Sequence, residues 1–198
     1  MEAGTALERL IAGNARFRTG TSEVSEHDIP AQVSGQEPFA IILGCSDSRV
    51  PAEIIFDQGL GDLFIIRIAG NIVKPSQIGS VEFAASQFGC QLVVVLGHSH
   101  CGAVVAALNE LKKGDTVASP NLAAIVDEVK PAVMPVTAQT WANEDAEIDA
   151  AVLANVARSV SELKAGSEII SDLISRGELK VIGAKYDLAT GAVAFLHN

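Results

Sequence analysis

Three short apolar runs, at residues 39–44, 63–68 and 91–97, constrain this chain more than any other feature. Each is rich in Val, Ile or Leu, and none shows the apolar–polar alternation of a strand with one wet face. Runs of this kind suit strands covered on both sides, as in a parallel sheet. Helical segments separate them: a short one at 51–56, then 77–88 with Ile78, Val81, Ala85 and Phe88 on one face. Strand and helix in alternation predict an α/β fold, a mostly parallel central β-sheet flanked by helices.

The flanking regions complete that outline. Residues 5–17 carry Ala6, Leu7, Leu10, Ile11 and Ala15 at helical spacing, with Gly20 as a stop, which predicts an N-terminal helical arm. A polar connector with two prolines and a glycine follows at 21–38. Further helices are expected at 103–111, 121–130 (started by Ser119 and Pro120), 143–163 and 167–175, the last ending at Gly177. Residues 179–185 and 192–197, joined around Thr190 and Gly191, read as a closing strand pair. With no repeat or clear linker, residues 1–198 are expected to form one domain, with 1–37 as its arm and connector.

Charge and cysteine content narrow the function classes. The chain has 24 acidic and 14 basic residues, a net charge of −10, which argues against a nucleic-acid partner because that interaction draws on a basic surface. No apolar run approaches the roughly 18–20 residues of a membrane helix, and residues 1–10 do not resemble a signal peptide. The expectation is a cytoplasmic protein that does not engage a membrane. Three cysteines are an odd count, better suited to metal-binding or catalytic thiols than to a disulfide framework.

Two candidate metal ligands, one of them a cysteine, stand at strand ends. Cys45 directly follows the run ending at Gly44, and His98 follows the run ending at Gly97, with Cys101 three positions later. Ligands in open α/β sheets bind beyond the carboxyl ends of the strands, so neighbouring strands would bring these side chains to one edge. Thiolate and imidazole are donors that zinc favours, and three protein ligands leave a fourth position open for water. Taken alone, His-x-x-Cys is a weak signal and Cys45 reads equally well as a core thiol. Asp47 and Arg49 alternate after Cys45, so both side chains are free to point the same way. They read either as a solvated surface pair or as a bidentate pair beside the metal. Cys90 has no ligand spacing and reads as a packed thiol, and His100 as a surface histidine.

Cys45-Ser46-Asp47-Ser48-Arg49, followed some fifty residues on by Gly97-His98-Ser99-His100-Cys101-Gly102, resembles the β-class carbonic anhydrases. The likeness runs from Leu10-Ile11-Ala12-Gly13-Asn14-Ala15-Arg16-Phe17 to the closing strands. It implies a zinc enzyme, one Zn2+ per chain on Cys45, His98 and Cys101, that interconverts carbon dioxide and bicarbonate by way of zinc-bound hydroxide. Asp47 and Arg49 match the family's catalytic dyad. Gln36 matches a glutamine that donates to substrate, and Phe64, Phe83 and Val50 match pocket positions, with Gly102 beside them. Family pockets are built partly by the neighbouring subunit, so the resemblance also implies a homodimer or a dimer of dimers.

One branch of that family binds bicarbonate at a regulatory Trp, Arg and Tyr. Here Arg67 and Tyr186 match, but Ile42 replaces the Trp, which points to the plant-like branch with a constitutively open metal site. Hydrolysis of carbon disulfide or carbonyl sulfide on the same scaffold is the alternative enzyme reading. A closed zinc site with Asp47 as fourth ligand, in a binding protein, is the non-enzyme one.

Overall fold

The computed structural model describes residues 1–24, 33–115 and 117–196. The elements run α1 (Ala3–Thr19), β1 (Ala40–Gly44), α2 (Ala52–Ile55), β2 (Leu63–Arg67), α3 (Pro75–Phe88), β3 (Leu92–His98), α4 (Gly102–Lys113), α5 (Pro120–Thr137), α6 (Glu144–Ala165), α7 (Glu168–Ser175), β4 (Lys180–Tyr186) and β5 (Val193–Leu196). The middle of the expected connector and His197, at the end of the expected closing strand, lie outside the described residues.

The five strands among the described residues form one sheet in the order β2-β1-β3-β4-β5. β1 to β4 are mutually parallel, and β5 alone runs antiparallel, against β4. This is the α/β architecture the apolar runs predict. β1 and β3 lie inside the sheet, and every residue of both is buried, which is why their sequences show no polar alternation. β2, on the edge, is only partly covered.

Alternate residues of each strand feed opposite faces of the sheet. On one face Ile42, Val94, Leu96, Ile182 and Ala184 pack with Leu10 of α1 and Ile55 and Phe56 of the α2 region. Across the sheet Ile41, Leu43, Val93, Val95 and Val181 pack with Val81 of α3, Val156, Val160 and Leu163 of α6 and Ile170 of α7. A third cluster stands beyond the carboxyl ends of β1 and β3, where Val104 and Leu108 of α4 meet Val126, Val129 and Val133 of α5 and Val152 of α6. Each fully buried Leu or Ile in these clusters contributes about 1.5–3 kcal/mol over its exposed state.

Side-chain capping starts three of the helices, α5, α6 and α7. Ser119, Asn143 and Ser167 accept hydrogen bonds from the backbone N–H groups of Leu122, Ala146 and Ile170. α5 departs from expectation: it continues past Lys130 through Pro131 and Pro135 to Thr137. Each proline removes one N–H from the helix ladder, but Val129, Val133 and Val136 fall on one buried face. Packing against α4 and α6 outweighs the local preference to stop.

Among the described residues no helix is long and apolar enough to cross a membrane. α1 docks closely on the body: a Cβ at Gly13 would lie 1.8 Å from the carbonyl oxygen of Phe56. Backbone at both sides of that contact leaves no flexible atom to yield. Gly13→Ala is expected to lower stability by about 1–3 kcal/mol or more, read as a reduced urea midpoint with unchanged slope. An unaltered midpoint would mean that α1 is not held against Phe56.

Candidate active site

Cys45 follows β1 directly, His98 ends β3, and Cys101 is the residue before the first turn of α4. Parallel pairing with Gly44 opposite Leu96 sets the two strand ends side by side. His100, in the left-handed region at φ 53°, reverses the chain between β3 and α4. As a result one ligand atom from each of Cys45, His98 and Cys101 lies within 4.8 Å of the others, and all three residues are buried.

The imidazole of His98 is fully buried, and its Nδ1 lies 2.9 Å from the carbonyl oxygen of Ser99. A carbonyl only accepts, so Nδ1 carries the proton and Nε2 presents its lone pair. That Nε2 has no hydrogen-bond partner among the described residues. Leaving such an atom buried and unsatisfied is unfavourable; a soft or borderline cation between two sulfurs and an imidazole satisfies it. The donor set therefore fits zinc.

The two thiols reinforce that chemistry. A hydrogen bond from Cys101 brings the Cys45 thiol down to about 4, opposed by burial and assisted by the His98 imidazole alongside and by the backbone N–H groups of Asp47 and Gly70. Cys101 moves the other way, because its proton serves the Cys45 sulfur and burial disfavours a second charge. One proton thus sits between two sulfurs at the position where a cation would replace it.

Asp47 and Arg49 form the bidentate pair. Arg49 Nε donates to Oδ1 at 2.9 Å and Nη2 to Oδ2 at 2.7 Å, and the Arg49 backbone N–H also reaches Oδ1 at 2.9 Å. These bonds hold the Asp47 carboxyl well below the usual carboxylate range. Its Oδ2 stands 3.9 Å from Nε2 of His98. Arg67, at the end of β2, donates from Nε to the carbonyl of Cys45 at 3.0 Å and from Nη2 to that of Asp47 at 2.6 Å. The segment carrying ligand and dyad is therefore clamped from the neighbouring strand.

Behind Cys45 lies a 3-10 turn, Ala69–Asn71, with Gly70 at φ 71° and Asn71 at φ 44°. The N–H of Gly70 points at the Cys45 sulfur, 3.4 Å away. Asn155 and Ser159 of α6 bond the carbonyls of Gly70 and Asn71 at 2.8 and 2.9 Å. Neither Asn155 nor Ser159 is among the residues that the sequence alone singles out. Two polar residues four apart on the apolar face of a long helix were the available signal.

The structure thus brings together Cys45, Asp47, Arg49, His98 and Cys101, with Gly102 opening α4 beside them. Val50 gives its N–H to the Asp47 carbonyl and buries its side chain in the core under that turn. Three expected pocket residues are not at this chain's own site. Gln36 precedes β1, at the opposite edge of the sheet, near Arg9, Leu60 and Phe88. Phe64 pairs with Ile41, four residues or about 13 Å down the strand direction from Cys45. Its ring packs with those of Phe83 and Phe88. Phe83, on α3, is 53% exposed. Cys90 is a packed thiol, as expected, donating to the Pro38 carbonyl.

A parallel sheet whose carboxyl edge gathers two thiols, an imidazole and an ionised carboxylate belongs to the α/β metal-dependent enzymes. Residues 40–193 match the family described as carbonic anhydrase. Carbonic anhydrase 2 of Mycobacterium tuberculosis is 38% identical over 191 residues, spanning 94% of this chain and 89% of that protein. The carbonic anhydrase of Mycolicibacterium smegmatis is also 38% identical, spanning 95% and 90%. The β-carbonic anhydrase CcaA superposes with a TM-score of 0.74 at 28% identity, over 98% of this chain and 92% of that one. A tetrameric β-carbonic anhydrase from Sordaria macrospora does so with 0.75 at 25% identity, over 98% of each. The chain belongs to the β-class carbonic anhydrases. Nothing in these comparisons supports the carbon disulfide or carbonyl sulfide alternative.

Because the Cys45 thiol is lowered, its thiolate persists at any pH above that value. Ultraviolet thiolate absorbance of metal-free protein, equivalent to one cysteine, is expected to survive below neutral pH and fade only near about 4. Both site thiols titrating together near 9.0, the ordinary thiol value, would refute the shared proton.

Proposed function

We propose that this chain catalyses the reversible hydration of carbon dioxide to bicarbonate and a proton, with one zinc ion held by Cys45, His98 and Cys101. The observation that carries this reading is the buried Nε2 of His98, without a hydrogen-bond partner among the described residues, close to two sulfurs and beside a carboxylate held ionised. Zinc on three protein ligands supplies Lewis acidity and a fourth position where water becomes acidic enough to react near neutral pH, an effect of which carbonic anhydrases are the standard example.

The residues around that position divide the work. The Ser99 carbonyl fixes the tautomer and ring direction of His98. Arg49 binds both oxygens of Asp47, which keeps the carboxylate ionised and turned away from direct coordination. Asp47 retains lone pairs on Oδ2 to accept a hydrogen bond from the reacting water, orienting its other lone pair toward carbon dioxide. Arg67 holds the backbone beneath this pair, so the carboxylate keeps its place through turnover. Engagement of Asp47 by Arg49 favours the plant-like, open-site branch over one in which the aspartate closes the fourth position. Ile42 lies in the core in place of a regulatory Trp, which favours the same branch.

For the substrate pocket we infer a second copy of the chain. Gln36, Phe64 and Phe83 are remote from their own Cys45, and among the described residues β2 has a strand partner on only one side. A homodimer, or a dimer of dimers, in which one copy's Gln36 and Phe residues face the other's metal would complete the site.

Purified protein is expected to contain about one zinc per chain and to hydrate carbon dioxide in a stopped-flow indicator assay. Asp47→Asn should keep the zinc and lose about 10²–10⁴-fold in turnover; full activity in the zinc-loaded variant would remove Asp47 from the mechanism. Arg49→Ala removes the main cause of the lowered Asp47 value, so that value rises. Activity that needs ionised Asp47 is then lost at a higher pH on the acid side. An acid limb of kcat/KM unmoved in Arg49→Ala would refute this role.

A further inference from the structure

Cys45 stands alone among the three donors in having its sulfur faced by a backbone N–H from a separate turn of the chain. That N–H belongs to Gly70, and the turn is held from behind by α6. Asn155, 2% exposed, donates from Nδ2 to the Gly70 carbonyl at 2.8 Å. Ser159, one turn further along α6 and equally buried, donates to the Asn71 carbonyl at 2.9 Å. Both Gly70 and Asn71 have positive φ, the left-handed region that glycine adopts freely and asparagine more readily than most other residues.

Other contacts leave the turn little freedom. A Cβ at Gly70 would stand 3.0 Å from Cβ of Ala103 in the first turn of α4 and 3.4 Å from Val129 of α5. The turn is thus wedged between the helix that begins beside Cys101 and the helix that covers it, and α6 supplies its polar anchors. The Gly70 carbonyl shares its rigid peptide plane with the Asn71 N–H; the Gly70 N–H belongs to the plane before it, one Cα away, so anchoring that carbonyl holds the N–H through the φ and ψ that Gly70 adopts in the packed turn. Held this way, the Gly70 N–H stays 3.4 Å from Sγ of Cys45.

We propose that Asn155 is a positioning residue for the metal centre: by anchoring the Gly70 carbonyl it holds the 69–71 turn so that the Gly70 N–H hydrogen-bonds the Cys45 thiolate when that thiolate binds metal. A hydrogen bond to a ligating sulfur draws charge from it and fixes its direction, and groups that orient ligands in this way commonly influence metal affinity by 10–100-fold. The inference rests on the assignment of Cys45 as a ligand.

The test compares zinc retention and sulfur–metal electronic structure in three proteins. Asn155→Leu keeps the branched shape and loses the donor; Val160→Ala removes buried volume from the same helix without touching the turn. Zinc release to an excess of chelator is expected to be about 10-fold or more faster in Asn155→Leu than in wild type. The thiolate-to-cobalt charge-transfer band of the cobalt-substituted form should shift as well. Val160→Ala should lower Tm and alter neither readout. Asn155→Ser, a smaller change, serves in place of Asn155→Leu should the latter not fold. If Asn155→Leu or Asn155→Ser lowers Tm while zinc release and the cobalt band stay at wild-type values, Asn155 is structural and the proposal is overturned. Wild-type protein that holds zinc and hydrates carbon dioxide beside such a result loses this inference alone. A wild type that binds no zinc overturns both it and the proposed metal site.

Discussion

Backbone hydrogen bonds between β1 and β3 run in a register that sets Gly44 opposite Leu96, and the site inherits its dimensions from that pairing. Cys45 and His98 are more than fifty residues apart in the chain, yet each leaves its strand at the same edge. A slip of one residue would exchange the faces of the sheet and send the side chains of one strand away from those of the other. That slip is blocked by two apolar layers, since Ile42 and Val94 face α1 while Ile41, Leu43, Val93 and Val95 face α3 and α6. Burial of ordinary aliphatic side chains is therefore what holds two sulfurs and an imidazole within 4.8 Å.

Charge is arranged around this point for direction more than for stability. Arg49 is 56% exposed, so its pair with Asp47 is screened by water and contributes little to folding. What the pair achieves is orientation: three hydrogen bonds to one carboxylate leave it few ways to turn. Arg67 works through backbone carbonyls and leaves the carboxylate free, so the two arginines near Cys45 have separate tasks. One holds the chain and the other holds the acid. The same division appears in the turn at Ala69–Asn71, where α6 grips carbonyls and leaves an N–H for the sulfur.

The pocket residues matched by family resemblance behave differently from the ligands. Gln36, Phe64 and Phe83 carry no mutual spacing that ties them to Cys45, and the folded chain leaves them at the far edge and flank of the sheet. On the reading proposed above, their place in a site would come from a second copy of the chain, which no periodicity in one chain encodes. α5 is a smaller instance of the same point. Pro131 and Pro135 argue locally for an end to the helix, whereas burial of Val133 and Val136 keeps it going.

From the sequence by itself came the strand and helix types, the two-sided burial of β1 and β3, and the residue types able to bind a metal. Those follow from local rules, because apolar periodicity and capping are written within a few residues of where they act. Only the tertiary structure decided which strands are neighbours, which nitrogen of His98 is free, what Arg67 clamps, and that Asn155 stands behind Cys45. These depend on strand order, register and helix packing, which fix distances of a few ångströms between residues scores of positions apart, and a linear pattern of apolar and polar residues does not carry that information.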